Sequence, residues 1–152
     1  MICWLQGKRI DIWQQGMRKG IVIATKGVGY EVQTLPREQD LFTSKDTVTV
    51  WVHQVQRDES IYLYGFLNKE ERDLFRILIS VNGVGPQIGI ALLQENGEKD
   101  LINAVKDKDI KQLSKAQGVG KRTAERLIIE LKEKLSEKMW VVLATRSFTL
   151  LL

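Results

Sequence analysis

The feature that most limits what this chain can fold into is a segment it contains twice. LISVNGVGPQIGIALL, Leu78 to Leu93, lies over LSKAQGVGKRTAERLI, Leu113 to Ile128, at a constant offset of 35 residues. Leu78 falls on Leu113, Gly83-Val84-Gly85 on Gly118-Val119-Gly120, the small Gly89 on Ala124, and Leu92 on Leu127. A repeat of that length is one supersecondary unit built twice. In each copy a helix ends, a glycine–apolar–glycine turn reverses the chain, and helix formers follow. The glycines permit positive φ and let a ligand oxygen approach the backbone, while the central valine packs inward. The N–H groups that open the second helix then face out at the positive end of its dipole, an arrangement suited to phosphate.

A nucleotide-hydrolase loop does not fit the second copy. That pattern needs glycine five places before the Gly-Lys pair and Ser or Thr after the lysine, and those places hold Lys115 and Arg122. A plain helix C-cap and turn is the other reading of an isolated GVG. Gly27-Val28-Gly29, which runs into YEVQT, reads as a sheet turn or bulge with no ligand. The tandem pair instead resembles the helix-hairpin-helix motif of DNA-binding proteins. Its candidate contacts are Gly83, Val84, Gly85 and Gln87 in the first copy, and Lys115, Gly118, Val119, Gly120, Lys121, Arg122 and Thr123 in the second. With Gln87 where a cation could sit, the first copy relies on backbone donors, and Lys115 and Lys121 carry much of the local charge. Such contacts hold the sugar-phosphate backbone and read no bases, so the ligand is selected by shape.

The N-terminal part has a different period. GIVIATKGVGYEVQT and TVTVWVHQV are rich in β-branched and aromatic residues, and Val48, Val50 and Val52 alternate with Thr47, Thr49 and Trp51. Turn signals at Gln15-Gly16, Lys26-Gly27 and Leu35-Pro36, with a further strand in ESIYLYGF, suggest a small five-stranded oligonucleotide-binding barrel. After Phe66 the pattern turns helical. Asn68 with Glu71 predicts a capped start, and further helices are expected after Pro86, near Asp100 to Val105, from Asp109 and from Lys121. The expected fold is α+β: a barrel over residues 1–66, an all-helical tandem hairpin domain over 67–138, and an atypical hydrophobic tail over 139–152.

Composition sets outer bounds. A net charge of +4 and a pI near 9.2 permit an anionic partner without requiring one. Cys3 is the single cysteine and no leading segment reads as a signal peptide, so a reducing cytoplasmic location is expected. His53 is the only histidine, which argues against zinc, and no metal or other cofactor is expected. Trp4, Trp13, Trp51 and Trp140 could stack bases, but tryptophans are more often core or interface residues. Leu127, Ile128, Leu131 and Leu135 form a core stripe, with Glu130 and Lys134 paired on the surface. A glycosylase would need a catalytic Asp beyond the hairpin, and none follows Asp109. A nuclease would need clustered carboxylates. General duplex or single-strand binding and a nuclease accessory role are the alternatives.

The barrel, QRDESIYLYGF, NKEERDLFRILISVNGVGP and GVGKRTAERLIIELKEKL together resemble the RuvA family, from Met1 to about Lys138. That resemblance implies the DNA-binding, non-catalytic subunit of the Holliday junction branch-migration complex, acting in recombination and in the SOS response to DNA damage. It implies a homotetramer, alone or paired as an octamer, whose hairpins hold four duplex arms. A RuvB-type ATPase and a RuvC-type resolvase are the implied partners, with no membrane. Asp58 and Glu59, in a turn that by residue type alone reads as a solvated hairpin tip, correspond by that resemblance to the family's acidic pin. Ala116-Gln117 stands where an apolar residue and proline are common, and a slightly looser second hairpin is expected. The family's third domain is not recognisable, and MWVVLATRSFTLLL is too short to span a bilayer.

Overall fold

The computed structural model describes residues 1–135; the hydrophobic tail expected over 139–152 lies outside the described residues, as does Trp140. The chain divides into two compact units between Arg72 and Asp73. In the first, strands β1 (Trp4–Gln15), β2 (Arg18–Thr25), β3 (Val28–Thr34), β4 (Thr47–Arg57) and β5 (Ser60–Phe66) close into a barrel in the order β1-β2-β3-β5-β4. Every pairing is antiparallel except β3 with β5, which meet in parallel at Gln33–Tyr64 and Thr34–Gly65. β1 closes the barrel because it serves two neighbours. Trp4 to Lys8 pair with β4 and Lys8 to Gln15 with β2, with a bulge between Arg9 and Asp11 that bends the strand. This is the five-stranded oligonucleotide-binding architecture expected from the strand spacing.

Alternation fills the barrel. Val48, Val50 and Val52 are buried with Leu5, Ile21, Ile23, Val32 and Leu63, while Thr47 and Thr49 face out. Gly65 is required here by space, since a Cβ at that position would collide with the side chains of Val50 and Val32. One contributor was not visible in the sequence. Between β3 and β4 a 3₁₀ turn, Pro36–Glu38, leads into the five-residue helix α1, Gln39–Thr43, whose Phe42 is buried in the barrel core. The GVG of residues 27–29 is a sheet turn, as expected: Thr25 pairs with Val28, and Lys26 and Gly27 take φ of 50° and 81°.

The barrel unit ends on the first residues of α2 (Lys69–Ile79). Asn68 Oδ1 accepts from Glu71 N at 2.9 Å, the N-cap that the sequence predicts. Arg72 donates from Nη1 to Cys3 O at 2.8 Å, with its guanidinium 5.0 Å from the Trp51 ring centroid. Two carboxyl groups of this unit, Glu38 and Glu71, are buried. Leu67 N donates to Glu38 Oε1 at 3.3 Å. Burial, then the hydrogen bond and charge of Glu38, push the Glu71 carboxyl up to about 9 from an ordinary 4.5, against the opposing pull of Arg37.

The second unit is helical. It comprises the rest of α2, then α3 (Pro86–Lys106), α4 (Ile110–Leu113) and α5 (Lys121–Lys134). α3 is two helices joined at Gly97, whose φ of 73° and ψ of 170° are non-helical, matching the expectation of separate helices after Pro86 and near Asp100. Asp109 caps α4 by accepting from Gln112 N at 3.0 Å. Leu74, Phe75, Leu78, Leu92, Leu93, Leu101, Leu113 and Leu127 form the core with the expected stripe, of which Leu131 and Leu135 are also buried. Among the described residues no helix is long and apolar enough to cross a membrane.

The raised Glu71 carboxyl gives stability a sign with pH. Between roughly the ordinary value of 4.5 and the folded value of about 9, the folded chain holds a proton that the unfolded chain has released. Its contribution is therefore full below the unfolded pKa and is lost as pH rises through that window. Thermal unfolding should show Tm falling between about pH 5 and pH 9, and Glu71→Gln should flatten that slope.

Candidate nucleic-acid interface

The two glycine turns, 35 residues apart in sequence, close alike. Val84 N donates to Val81 O at 3.0 Å, and Val119 N donates to Ala116 O at 3.1 Å. The bonds that open the following helices, Gly89 N to Gly85 O and Ala124 N to Gly120 O, are both 3.0 Å. Gly83 and Gly118 share a φ of 85°, in the left-handed region that side chains other than glycine's resist. Gly85 and Gly120 are the N-caps and are extended, with φ and ψ of −86° and 177° in one and −90° and 179° in the other. The second loop has this geometry with Ala116-Gln117 in it. Val84 and Val119 are buried, and Gly89 packs against Phe75 and Ile79 as Ala124 packs in the second copy, fully buried.

What the turns leave outside matters as much. An α-helix leaves its first N–H groups without intrahelical partners, and side chains usually cap them. The N-cap residues of α3 and α5 are Gly85 and Gly120, which have no side chain with which to cap them. A Cβ built on Gly83 or Gly120 meets nothing within 4 Å, so a ligand oxygen can approach the bare backbone there. Neither helix carries an acidic residue in its first turn, and α5 opens on Lys121 and Arg122, both exposed. Cations at a helix N-terminus are opposed by the helix dipole. That pair therefore works against the helix that carries it, and an anion at the tip would reverse the balance. Lys115 and Arg126 are exposed on either side of the same loop, Gln87 is exposed on the first turn of α3, and Thr123 is half-buried.

One basic group near the first loop was missed. Lys134, read from sequence only as the surface partner of Glu130 and found 4.0 Å from it, also donates from Nζ to Ser80 O at 2.9 Å and to Ser80 Oγ at 3.0 Å. The linear sequence holds no signal for a contact spanning 54 residues.

Residues 75–133 match the family model for a SAM-like helix-hairpin-helix tandem, and residues 1–65 match that for the RuvA N terminal domain. The chain is 56% identical over 135 residues to a protein of Synechococcus sp. strain CC9311, covering 89% of this chain and 62% of that one. It is 52% identical over 150 residues to one of Synechococcus sp. strain WH7803, covering 99% and 69%. A Prochlorococcus marinus protein, strain MIT 9313, is 52% identical over 138 residues, covering 90% and 61%. All three bear the name Holliday junction branch migration complex subunit RuvA. The chain belongs to the RuvA family. It spans about three fifths of the length of the first of these relatives.

In this RuvA-family barrel, Asp58 and Glu59 form the two-residue turn between β4 and β5, where Arg57 pairs with Ser60. Both are exposed, and Asp58 takes a φ of 53°. Of the tryptophans, Trp13 packs over Gly20, Trp51 is half-buried under Arg72, and Trp4 is 44% exposed. His53 is half-buried, paired in register with Tyr64.

The two kinds of glycine separate by substitution. Gly118→Ala forces a side chain into the left-handed region and against Ile88, whose Cγ1 would lie 3.4 Å from the new Cβ, and should cost roughly 1–2 kcal/mol in urea unfolding. Gly120→Ala, at an extended and open N-cap, meets no clash and should cost less than Gly118→Ala, because glycine's N-cap preference over alanine is offset by the lower entropy of the unfolded chain.

Proposed function

We propose that this chain binds four-way junction DNA as the non-catalytic subunit of an ATP-driven branch-migration complex, in recombination and repair. The observation that carries this reading is the pair of matching turns with glycine N-caps and bare glycine tips. Two such sites on one helical unit suit two phosphates of a duplex, bound through main-chain donors at Gly83, Gly85, Gly118 and Gly120. Lys121, Arg122, Lys115 and Thr123 add charge and hydroxyl contacts at the second site, and Gln87 adds a neutral one at the first. None of these groups discriminates between bases. Selection then falls to the shape of the DNA, which is what a protein acting at crossovers of any sequence needs.

Asp58 and Glu59 fit the acidic pin. A carboxylate pair on the exposed tip of a two-stranded hairpin can be carried against the nucleic acid. Close to phosphates in a setting of reduced dielectric, each such charge repels by several kcal/mol at about 4 Å. Placed at a crossover, that repulsion keeps the centre open and turns separated strands toward new pairing partners. A homotetramer, alone or paired, supplies four copies of each element around one junction. The motor is external: a RuvB-type ATPase drives the DNA, and a RuvC-type resolvase cuts it. The relatives' names support a branch-migration subunit, and the physical reading of the turns supports the binding role independently.

Binding measured at matched salt to a four-way junction, a plain duplex and a single strand tests the proposal. The junction should bind tightest; equal affinity for duplex makes the chain a general duplex binder, and preference for single strand transfers the site to the barrel. Lys121→Ala with Arg122→Ala should weaken junction binding and reduce the slope of log K against log salt by about two, one for each phosphate that is no longer neutralised. Asp58→Asn with Glu59→Gln should leave junction affinity equal or higher while altering branch movement.

A further inference from the structure

The charge at the first hairpin and the connection between the hairpins come from the same place. α5 starts at the second turn and, 14 residues on, ends beside the first. There Lys134 Nζ donates to Ser80 O and Ser80 Oγ, and Ser80 Oγ donates onward to Ile77 O at 2.6 Å. One turn earlier along α5, Glu130 Oε2 accepts from Asn82 N at 3.4 Å, the residue immediately before the left-handed Gly83. Lys134 and Glu130 are themselves paired at 4.0 Å, 38% and 24% exposed. At the other end, Ile88 on the first turn of α3 lies against Gly118 in the second loop. A rigid helix about 20 Å long thus has one hairpin at its start and grips the loop of the other at its finish.

We infer that Glu130 and Lys134 are positioning residues for DNA binding: by clamping Ser80 and Asn82 they hold the first glycine turn at a fixed distance from the second, so that two phosphates are met together. This rests on the reading of the turns as phosphate sites. The alternative for Lys134 is a direct phosphate contact, and the alternative for the pair is a solvated surface bridge worth little. The geometry favours the brace, because the ammonium is already engaged by a carbonyl and a hydroxyl at the end of α2, where a cation also suits the helix dipole. Two sites fixed at the right spacing bind as one, and the benefit is lost when either is free to move.

Junction affinity across a salt series, measured on the full chain, separates the possibilities. Lys134→Met should weaken binding about three- to tenfold, as expected for losing a small surface network, and leave the salt slope unchanged because every phosphate contact is kept. Lys134→Arg, which keeps the donors, should restore most of the affinity, and amide exchange at Asn82 and Gly83 should quicken in Lys134→Met alone. Unchanged affinity, a slope shallower by about one, or failure of Lys134→Arg to restore binding overturns the brace. Should Lys134→Met lose the fold, Glu130→Gln carries the same expectations for affinity and slope. Lys121→Ala with Arg122→Ala is run alongside: if that variant changes neither affinity nor slope, it is the phosphate reading of the hairpins that has failed, and not the brace.

Discussion

The rest of the structure depends on two helix starts whose N-cap residue is glycine. Left-handed glycines at Gly83 and Gly118 turn the backbone so that extended Gly85 and Gly120 deliver it into α3 and α5 with their leading N–H groups outward. Buried or solvated, those donors must be met by something, and a capping Ser, Thr, Asp or Asn would ordinarily meet them from within. Glycine at the cap leaves that position to a ligand. The basic pair Lys121 and Arg122 makes the same point in a second way, since it stands at the end of the helix where a cation is least welcome. Two independent departures from what favours a stable helix coincide at one tip, and a phosphate bound there, as proposed, would resolve both.

The barrel is organised instead around an apolar interior. Closure in the order β1-β2-β3-β5-β4 gives every strand two neighbours, β3 and β5 meeting only at Gln33–Tyr64 and Thr34–Gly65, and Phe42 is buried in the core. Polar chemistry is pushed to the ends, where Asp58 and Glu59 occupy the turn beyond Arg57 and Ser60. The buried Glu38–Glu71 pair is accommodated by holding a proton in place of a charge.

Much of this was legible in the sequence because it is local or repeated. The hairpins announced themselves by the 35-residue offset, the barrel interior by the alternation through Val48, Val50 and Val52, and the starts of α2 and α4 by Asn68 and Asp109. The hidden parts are short or long-range. α1 has five residues, too few to show a helical period, and Phe42 could not be assigned to the core without the topology. Glu38 and Glu71 look like ordinary surface acids until the fold buries them together. Glu130 and Lys134 showed their mutual spacing but not their reach to Asn82 and Ser80, which only the packing of α5 supplies.

Backbone amide shifts during titration of the nitrogen-labelled chain with a four-way junction test the central claim most directly. The account predicts that the amides of Gly83, Gly85, Gly118 and Gly120 move together and saturate at one stoichiometry, since main-chain donors in both turns take up phosphate. Stationary glycine amides, with shifts confined to the barrel or to lysine and arginine side chains, would contradict it.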